Sequence, residues 1–350
     1  MSTDWQVITG DCLEVLSTLA DSSIDLILTD PPYFRVKDLP WDRQWNTATG
    51  YLEWLDRVLV EFYRVLKPNG SLYLFASPKM AARVEVLTSG RFNVLNRITW
   101  AKHDGTYNKG GLWSRADKDV LRRFFEQKEE IIFAEHHGAD GYAKGEAGYS
   151  AKCDELRGFV FEPLRAYLAG ERDRAGLTTR QVAEEFQKRT GSRTVTGMAG
   201  HWLERVQWTL PTAENYQWLR ETFSRLNHGG EYLRREYEDL RREYEDLRRP
   251  FNVTADVPYT DVWTFPTVQA YPGKHPAEKP QALLSHIIKA SSKPGAVILD
   301  AFAGSGATGI AAQGAGRGFV GIEKDEHWAG YARARIAKAA EQARQAELPL

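Results

Sequence analysis

Short apolar strands alternate with amphipathic helices at both ends of this chain, and the pattern breaks between residues 151 and 250, where no run reads as a strand. Trp5–Ile8, Ile24–Thr29 and Ser71–Ala76 have strand character, with helices expected at Leu13–Leu19 and Tyr51–Leu66, the latter closed by Lys67-Pro68-Asn69-Gly70. Val94–Ala101 and Glu130–Ala134 add two more strand-like runs. The rhythm resumes at Ala296–Leu299 and Gly318–Ile322, with a helix over Ala307–Gln313 between them and an Ala/Arg-rich helix after them. A mostly parallel α/β sheet with helices on its faces satisfies this order. The expected organisation is therefore one α/β domain in two halves, 1–150 and 251–350, around a mainly helical insertion at 151–250.

Composition narrows the class. At 350 residues, 42% hydrophobic and 27% charged, the chain can bury a sizeable core and is neither disordered nor fibrous. Its 46 Lys and Arg balance 47 Asp and Glu, so a polyanion partner must meet a local patch. One such patch lies between Lys79 and Lys128, with 11 basic against 5 acidic residues. Cys12 and Cys153 are far apart, which argues against a disulfide framework and against a zinc site built on paired cysteines. No metal is expected. The start Met1-Ser2-Thr3-Asp4 has no signal-peptide character, and no run approaches the ~20 apolar residues of a membrane span. A cytoplasmic protein with no membrane association is expected.

Chemistry concentrates at two strand ends. Asp30-Pro31-Pro32-Tyr33 directly follows the apolar run Ile24–Thr29. Two prolines cannot continue a strand, so the chain turns at the carboxyl edge of the sheet, where open α/β sheets bind ligands. A chance turn is the alternative. Asp300-Ala301-Phe302-Ala303-Gly304-Ser305-Gly306-Ala307-Thr308-Gly309 has the order strand, glycine-rich turn, helix. The glycines allow close backbone approach, and the helix start offers amides to an anion. Glu323, 17 residues after Gly306 at the next strand end, sits where an acid commonly binds ribose hydroxyls. The Gly-Lys-Ser/Thr of a P-loop is missing, so a nucleoside bearing a carboxylate suits this turn better than a triphosphate.

With these motifs the chain resembles the beta-class amino-group DNA methyltransferases, in which the catalytic motif precedes the S-adenosylmethionine motif in a permuted order. The match comprises Gly10-Asp11-Cys12-Leu13, Asp30-Pro31-Pro32-Tyr33, a central insertion, His275-Pro276-Ala277-Glu278-Lys279-Pro280 and Asp300 to Gly309, about 250 residues in all. The fold it implies is α/β, a circularly permuted Rossmann-like class I methyltransferase sheet with an inserted helical target-recognition domain. It implies that Asp11 and the Cys12 amide hold the adenine of S-adenosylmethionine and Glu323 its ribose. Phe302, Gly304, Ser305, Gly306 and Thr308 would surround the methionine part, with Asp300 and Asp30 adjoining, and His275 and Lys279 would line the far side.

The tetrapeptide accounts for the reaction. An exocyclic amine on a base is a poor nucleophile until hydrogen bonds to both its protons draw it toward tetrahedral geometry. Asp30 and the Pro31 carbonyl can accept those bonds, and Tyr33 can stack on the base. Direct attack on the methyl group follows, without a covalent enzyme intermediate. Cytosine C5 methylation needs a cysteine after a proline, and neither cysteine here has that context. Adenine N6 is the expected target, because in this family Ser more often replaces Asp in the cytosine-N4 enzymes; cytosine N4 and a catalytically dead DNA-binding regulator are the alternatives. Glutamine and guanine-N2 methylation use Asn at the first catalytic position, and Asp30 argues against both. A stand-alone enzyme and the modification half of a restriction pair fit equally.

The base would be flipped out of duplex DNA. Lys102, Lys109, Trp113 and Arg115, with Tyr107 among them, are the candidates to hold phosphates and the base, against the alternative of a solvated loop. Trp41 and Trp45 are candidates for a lid or a wedge, against ordinary packing. Within the insertion, a helix from Gly176-Leu177-Thr178-Thr179, a second from Thr196 to Val206 and a third capped at Pro211-Thr212 resemble the helix-turn-helix of phage repressors, except that the turn Gln187–Arg193 is too long. On that reading Arg193, Thr194, Thr196 and His201 contact bases. A generic helical bundle is the alternative. Finally, Leu233-Arg-Arg-Glu-Tyr-Glu-Asp recurs from Leu240, and Leu247 begins a third copy. This heptad stripe either packs within the chain or joins two copies in a homodimer.

Overall fold

A computed structural model describes residues 4–36, 38–102, 126–136, 149–193, 195, 197–204, 208–252 and 260–346. The chain divides into two compact units, one of residues 1–136 with 250–350 and one of residues 137–249.

In the first unit the elements run β1 (Trp5–Thr9), α1 (Cys12–Leu16), β2 (Ile24–Thr29), a 3-10 turn at Pro40–Asp42, α2 (Ala48–Val65), β3 (Leu66–Ala76), α3 (Ala81–Ser89), β4 (Asn93–Ala101) and β5 (Lys128–Glu135). The second unit contributes α4 (Tyr149–Arg174), α5 (Thr179–Thr190), α6 (Met198–Leu203), α7 (Ala213–Leu226) and α8 (Tyr237–Leu247). The first unit then resumes with β6 (Val262–Thr264), α9 (Gln281–Ser291), β7 (Val297–Asp300), α10 (Ala307–Gly314), β8 (Gly318–Glu323) and α11 (Glu326–Ala346).

The eight strands form one sheet in the order β1-β8-β7-β2-β3-β5-β4-β6. From β1 to β3 all neighbours are parallel, and β5 runs antiparallel to both β3 and β4. The last two long strands of the chain therefore sit between its first two. β2 presents Leu26 and Leu28 on one face and Ile27 on the other, as suits a parallel strand covered on both sides. Ile27 packs with Leu55, Val58 and Phe62 of α2 on one face, whereas Leu26 and Leu28 pack with Leu284 and Ile288 of α9 and Ala311 of α10 on the other. After β7 the chain moves outward to β8, and after β2 it moves the opposite way to β3. Their carboxyl ends thus flank a crevice, the place where such sheets bind ligands.

Local chemistry fixes the boundaries. Thr47 caps α2 by accepting from the Gly50 amide at 3.0 Å. The helix stops at Val65, one residue before the chain enters β3. Lys67-Pro68-Asn69-Gly70, expected as a closing turn, belongs to β3 instead and forms an irregularity there: Ile24 pairs with Leu66, but Leu26 pairs with Ser71. Proline and glycine are tolerated in a strand at such a bulge because the ladder bond is already missing. Three elements without a clear sequence signal are α3, β6 and α9.

The helical unit has its own core, in which Leu168, Val182, Trp202, Leu219, Phe223 and Leu240 are buried. α5 opens with a capping box between Thr178 and Gln181 and closes at Gly191 with φ +68°. The second helix expected at Thr196 to Val206 is a six-residue segment, α6. Arg193 precedes it on an exposed connection rather than lying on it, and Thr194 and Thr196 fall outside the described residues.

The heptad stripe also differs from expectation. The helix begins at Tyr237, and Leu233 adopts φ +50°. Its carbonyl accepts from the Tyr216 hydroxyl at 3.0 Å and from Arg220 at 2.9 Å, and the same two side chains bind the Arg235 carbonyl. These carbonyls are held by α7, so no helical turn forms through them. Leu233 and Leu240 are fully buried in the core of the unit, with Tyr237, Tyr244 and Leu247 packed against it. The stripe is filled within the chain.

Candidate active site

Asp30, at the end of β2, and Asp300, at the end of β7, are neighbours across the sheet. Asp300 Oδ1 accepts from Thr29 Oγ1 at 2.8 Å and from the Phe302 amide at 3.1 Å, while Oδ2 accepts from Thr308 Oγ1 at 2.6 Å. Burial pushes the Asp300 carboxyl up to about 6, with these hydrogen bonds opposing the rise. Asp300 thereby ties β2, the glycine-rich turn and the start of α10 into one frame. The turn needs its glycines for different reasons. At Gly304, φ is +48° and a Cβ would meet the His275 ring at 3.1 Å, whereas at Gly306, with φ +76°, it would meet Ala332 Cβ of α11 at 2.9 Å.

A cavity of about 790 Å³ opens at this edge, a volume in the range of small-molecule sites. Asp11, Cys12, Asp30, Pro31, Pro32 and Tyr33 line it from the first half of the chain, and His275, Lys279, Asp300, Phe302, Gly304, Ser305, Thr308 and Glu323 from the last. Gly306 does not line it; this glycine serves the packing of α10 on α11. Thr308 lines the wall and donates its proton to Asp300.

The adenine end of the expected site is framed by α1. Asp11 caps that helix, accepting from the Leu13 amide at 3.0 Å, and its other oxygen is 3.1 Å from Lys324. Glu323 accepts from the Gly304 amide at 2.8 Å and the Asp325 amide at 2.9 Å, and burial raises its carboxyl. His275 stands edge-on to Trp328 at 4.5 Å, and burial pushes its imidazole down to about 4, leaving it neutral near pH 7. Cys12 is buried, and burial with the adjacent Asp11 pushes its thiol up to about 12. A thiol held neutral is no nucleophile. Cys12→Ser is expected to retain methyl transfer within a few-fold, measured as initial rate at saturating substrates.

At the far end stands an ionic cluster. Lys279 is hydrogen-bonded to Asp30 Oδ2 and lies 3.3 Å from Glu129 Oε2, with its ammonium over the rings of Tyr33 and Phe75 at 5.4 and 5.0 Å. The Tyr33 hydroxyl donates to Glu129 at 3.1 Å. Asp30 Oδ1 is buried with no hydrogen-bond partner. Burial raises the Asp30 carboxyl, Lys279 opposes this, and Glu129 adds to it. Burial would also raise Glu129, but Lys279 and Lys102 outweigh it and hold that carboxyl down at about 2.

Lys102 is one of the candidates to hold phosphates and the base. It lines the cavity and pairs with Glu129 at 2.7 Å. Lys109, Trp113 and Arg115 lie outside the described residues, and Arg193 and His201 belong to the helical unit. Trp41 lines the cavity, whereas Trp45 packs on Trp54 at 4.6 Å and Tyr51 at 5.1 Å as ordinary core. Glu129 escaped the sequence reading, which began the strand at Glu130. Its signal is the period of two: Glu129, Ile131 and Phe133 share one face of β5.

Residues 24–333 match the family model described as DNA methylase, of the N6/N4 type. The chain belongs to this DNA methylase family. The methylase is 26% identical over 320 residues to the DNA adenine methyltransferase YhdJ of Escherichia coli strain K12, a match covering 91% of this chain and 77% of that protein. To the type II methyltransferase M.HinfI of Haemophilus influenzae it is 24% identical over 346 residues, covering 94% and 67%. Among solved structures, the cytosine-N4-specific PvuII DNA methyltransferase aligns with a TM-score of 0.52 at 12% identity, over 99% of the methylase and 95% of that chain. That likeness speaks for the fold. Among the described residues, no helix of the methylase is long and apolar enough to cross a membrane, and no cluster of three His, Cys, Asp or Glu side chains could hold a metal.

Proposed function

We propose that this methylase transfers a methyl group from S-adenosylmethionine to N6 of adenine in double-stranded DNA, in the cytoplasm of a bacterium or from a phage genome. The observation that carries the reading is Asp30: a carboxylate in the cavity wall with one oxygen held by Lys279 and the other buried without a partner. A buried acceptor in that state costs free energy unless a ligand donor completes it, and an exocyclic N–H is such a donor. The name of one sequence relative, a DNA adenine methyltransferase, favours adenine over cytosine N4.

The cavity suits the cofactor. Asp11 and Glu323 offer carboxylates at one end, and Gly304 keeps a wall that any larger residue would fill. S-adenosylmethionine, when bound, supplies a methyl group on a positively charged sulfur. The residues of the chain do the rest. Asp30 orients the amine, Tyr33 supports the base on its ring, and Pro31 and Pro32 fix both against the strand end, so most of the rate comes from positioning. Such an amine is reachable only in a flipped nucleotide.

Incubating the protein with methyl-labelled cofactor and a duplex library, then identifying the modified base by mass spectrometry, tests the reading. Label in N6-methyladenine is expected; label in N4-methylcytosine alone would overturn the base assignment.

In this proposal the helical unit reads the sequence, with Arg193 and His201 as base contacts. His201→Ala is expected to relax the preference at one position of the site by about 1–3 kcal/mol, with cofactor affinity unchanged, when methylation is profiled on randomised DNA.

A further inference from the structure

Glu129 is a buried ionised group of the cavity that the proposed chemistry leaves without a task. Its Oε1 pairs with Lys102 at 2.7 Å, and its Oε2 faces both Lys279 at 3.3 Å and the Tyr33 hydroxyl at 3.1 Å. Its side chain is 14% exposed, that of Lys279 9% and that of Asp30 17%. Two carboxylates and two ammonium groups thus share a small volume in which water screens little, and single-residue changes there act strongly on the others.

We propose that Glu129 is a positioning residue, the second anchor for Lys279, which lets the lysine move from Asp30 to Glu129 when Asp30 takes up the proton of the target amine. The inference rests on the reading of Asp30 given above. Once the amine nitrogen has formed its bond to the methyl carbon and the carbon–sulfur pair has stayed on sulfur, the nitrogen carries one proton in excess. Its N–H bond breaks, the electron pair remains on nitrogen, and the proton forms an O–H bond at Asp30 Oδ1. Asp30 is then neutral and a poor partner for an ammonium group. Without Glu129 the Lys279 charge would be left buried and unpaired at that moment; with it, the ion pair re-forms across 3.3 Å. Lys102 balances the second negative charge, so the cluster stays near neutrality before the proton arrives.

The groups facing Asp30 are Lys279 ahead of α9, Glu129 on β5, Asp300 at the end of β7 and the phenols of Tyr33 and of Tyr51 on α2, with Lys102 after β4 paired to Glu129 behind them. The signs follow. Removing the negative charge of Glu129 makes Asp30 easier to ionise, and removing the positive charge of Lys102 makes it harder.

The test uses the full chain without cofactor or DNA, labelled with carboxyl-13C aspartate, the Asp30 resonance being assigned by its loss in Asp30→Asn. In Glu129→Gln the Asp30 midpoint is expected to fall by about one pH unit or more, and in Lys102→Gln to rise by a similar amount. Glu129→Asp, which keeps the charge, should restore the wild-type midpoint. Single-turnover methyl transfer at saturating cofactor and DNA should show the acid limb moving in the same directions, with the plateau rate of Glu129→Gln reduced at least about tenfold and KM little changed. Should Glu129→Gln fail to fold, the upward shift in the partly exposed Lys102→Gln decides alone. Midpoints that stay put in the folded variants, or a plateau equal to wild type in Glu129→Gln, overturn the proposal. A wild-type protein that labels no adenine overturns the underlying function instead, so the two failures are told apart.

Discussion

Asp30→Ala is expected to lower methyl transfer by about 10²–10⁴-fold, the range associated with a positioned acid or base, while binding of the labelled cofactor stays within a few-fold of wild type. The fold should survive the change. Lys279 keeps Glu129 as a partner, so no buried ammonium is stranded. Equilibrium dialysis with the cofactor and single-turnover transfer to DNA separate the two effects. Turnover near the wild-type rate would remove Asp30 from the mechanism, whereas lost cofactor binding would make its role that of a wall.

The second large effect is expected at Leu240, which is fully buried in the helical unit. Leu240→Ala should cost about 2–5 kcal/mol of that unit's stability, and Leu240→Glu should unfold it outright, since the charge would enter a core of Trp, Phe and Leu side chains. Light scattering of a folded Leu240→Ala sample should give the same mass as wild type. A fall from dimer to monomer with no change in melting would mean that the stripe is an interface between copies.

Much of the site was legible because it is written in contiguous letters at strand ends. Asp-Pro-Pro-Tyr and the Asp300 turn each carry their own stop signal, and both lie at the crevice that the strand order creates. The sequence was silent where function depends on a partner far along the chain. Glu129 looks like any solvated strand-end acid until β5 is laid beside β4, where it faces Trp100 and meets two lysines. Gly306 and Thr308 belong to a ligand-binding motif by position and also serve the frame around it, the glycine by its closeness to α11 and the threonine by its bond to Asp300. Lys67-Pro68-Asn69-Gly70 misled for another reason: turn residues are equally at home in a bulge. The repeat beginning at Leu233 promised one continuous helix, but side chains from α7 outbid the helix for its first carbonyls.

The interleaving of the strands also sets an order of assembly. Thr29 reaches Asp300 across 271 positions of chain, β1 has β8 as its one strand partner among the described residues, and β2 lacks one of its two neighbours until β7 is made. At the usual speed of a ribosome, the nascent polypeptide carries these open edges for on the order of tens of seconds. The helical unit, continuous in sequence and with a core of its own, can close during that interval. Translation that stalls short of Val297 therefore leaves a chain with its catalytic tetrapeptide already synthesised, two strand edges open to pairing with other chains, and no cleft in which to use it.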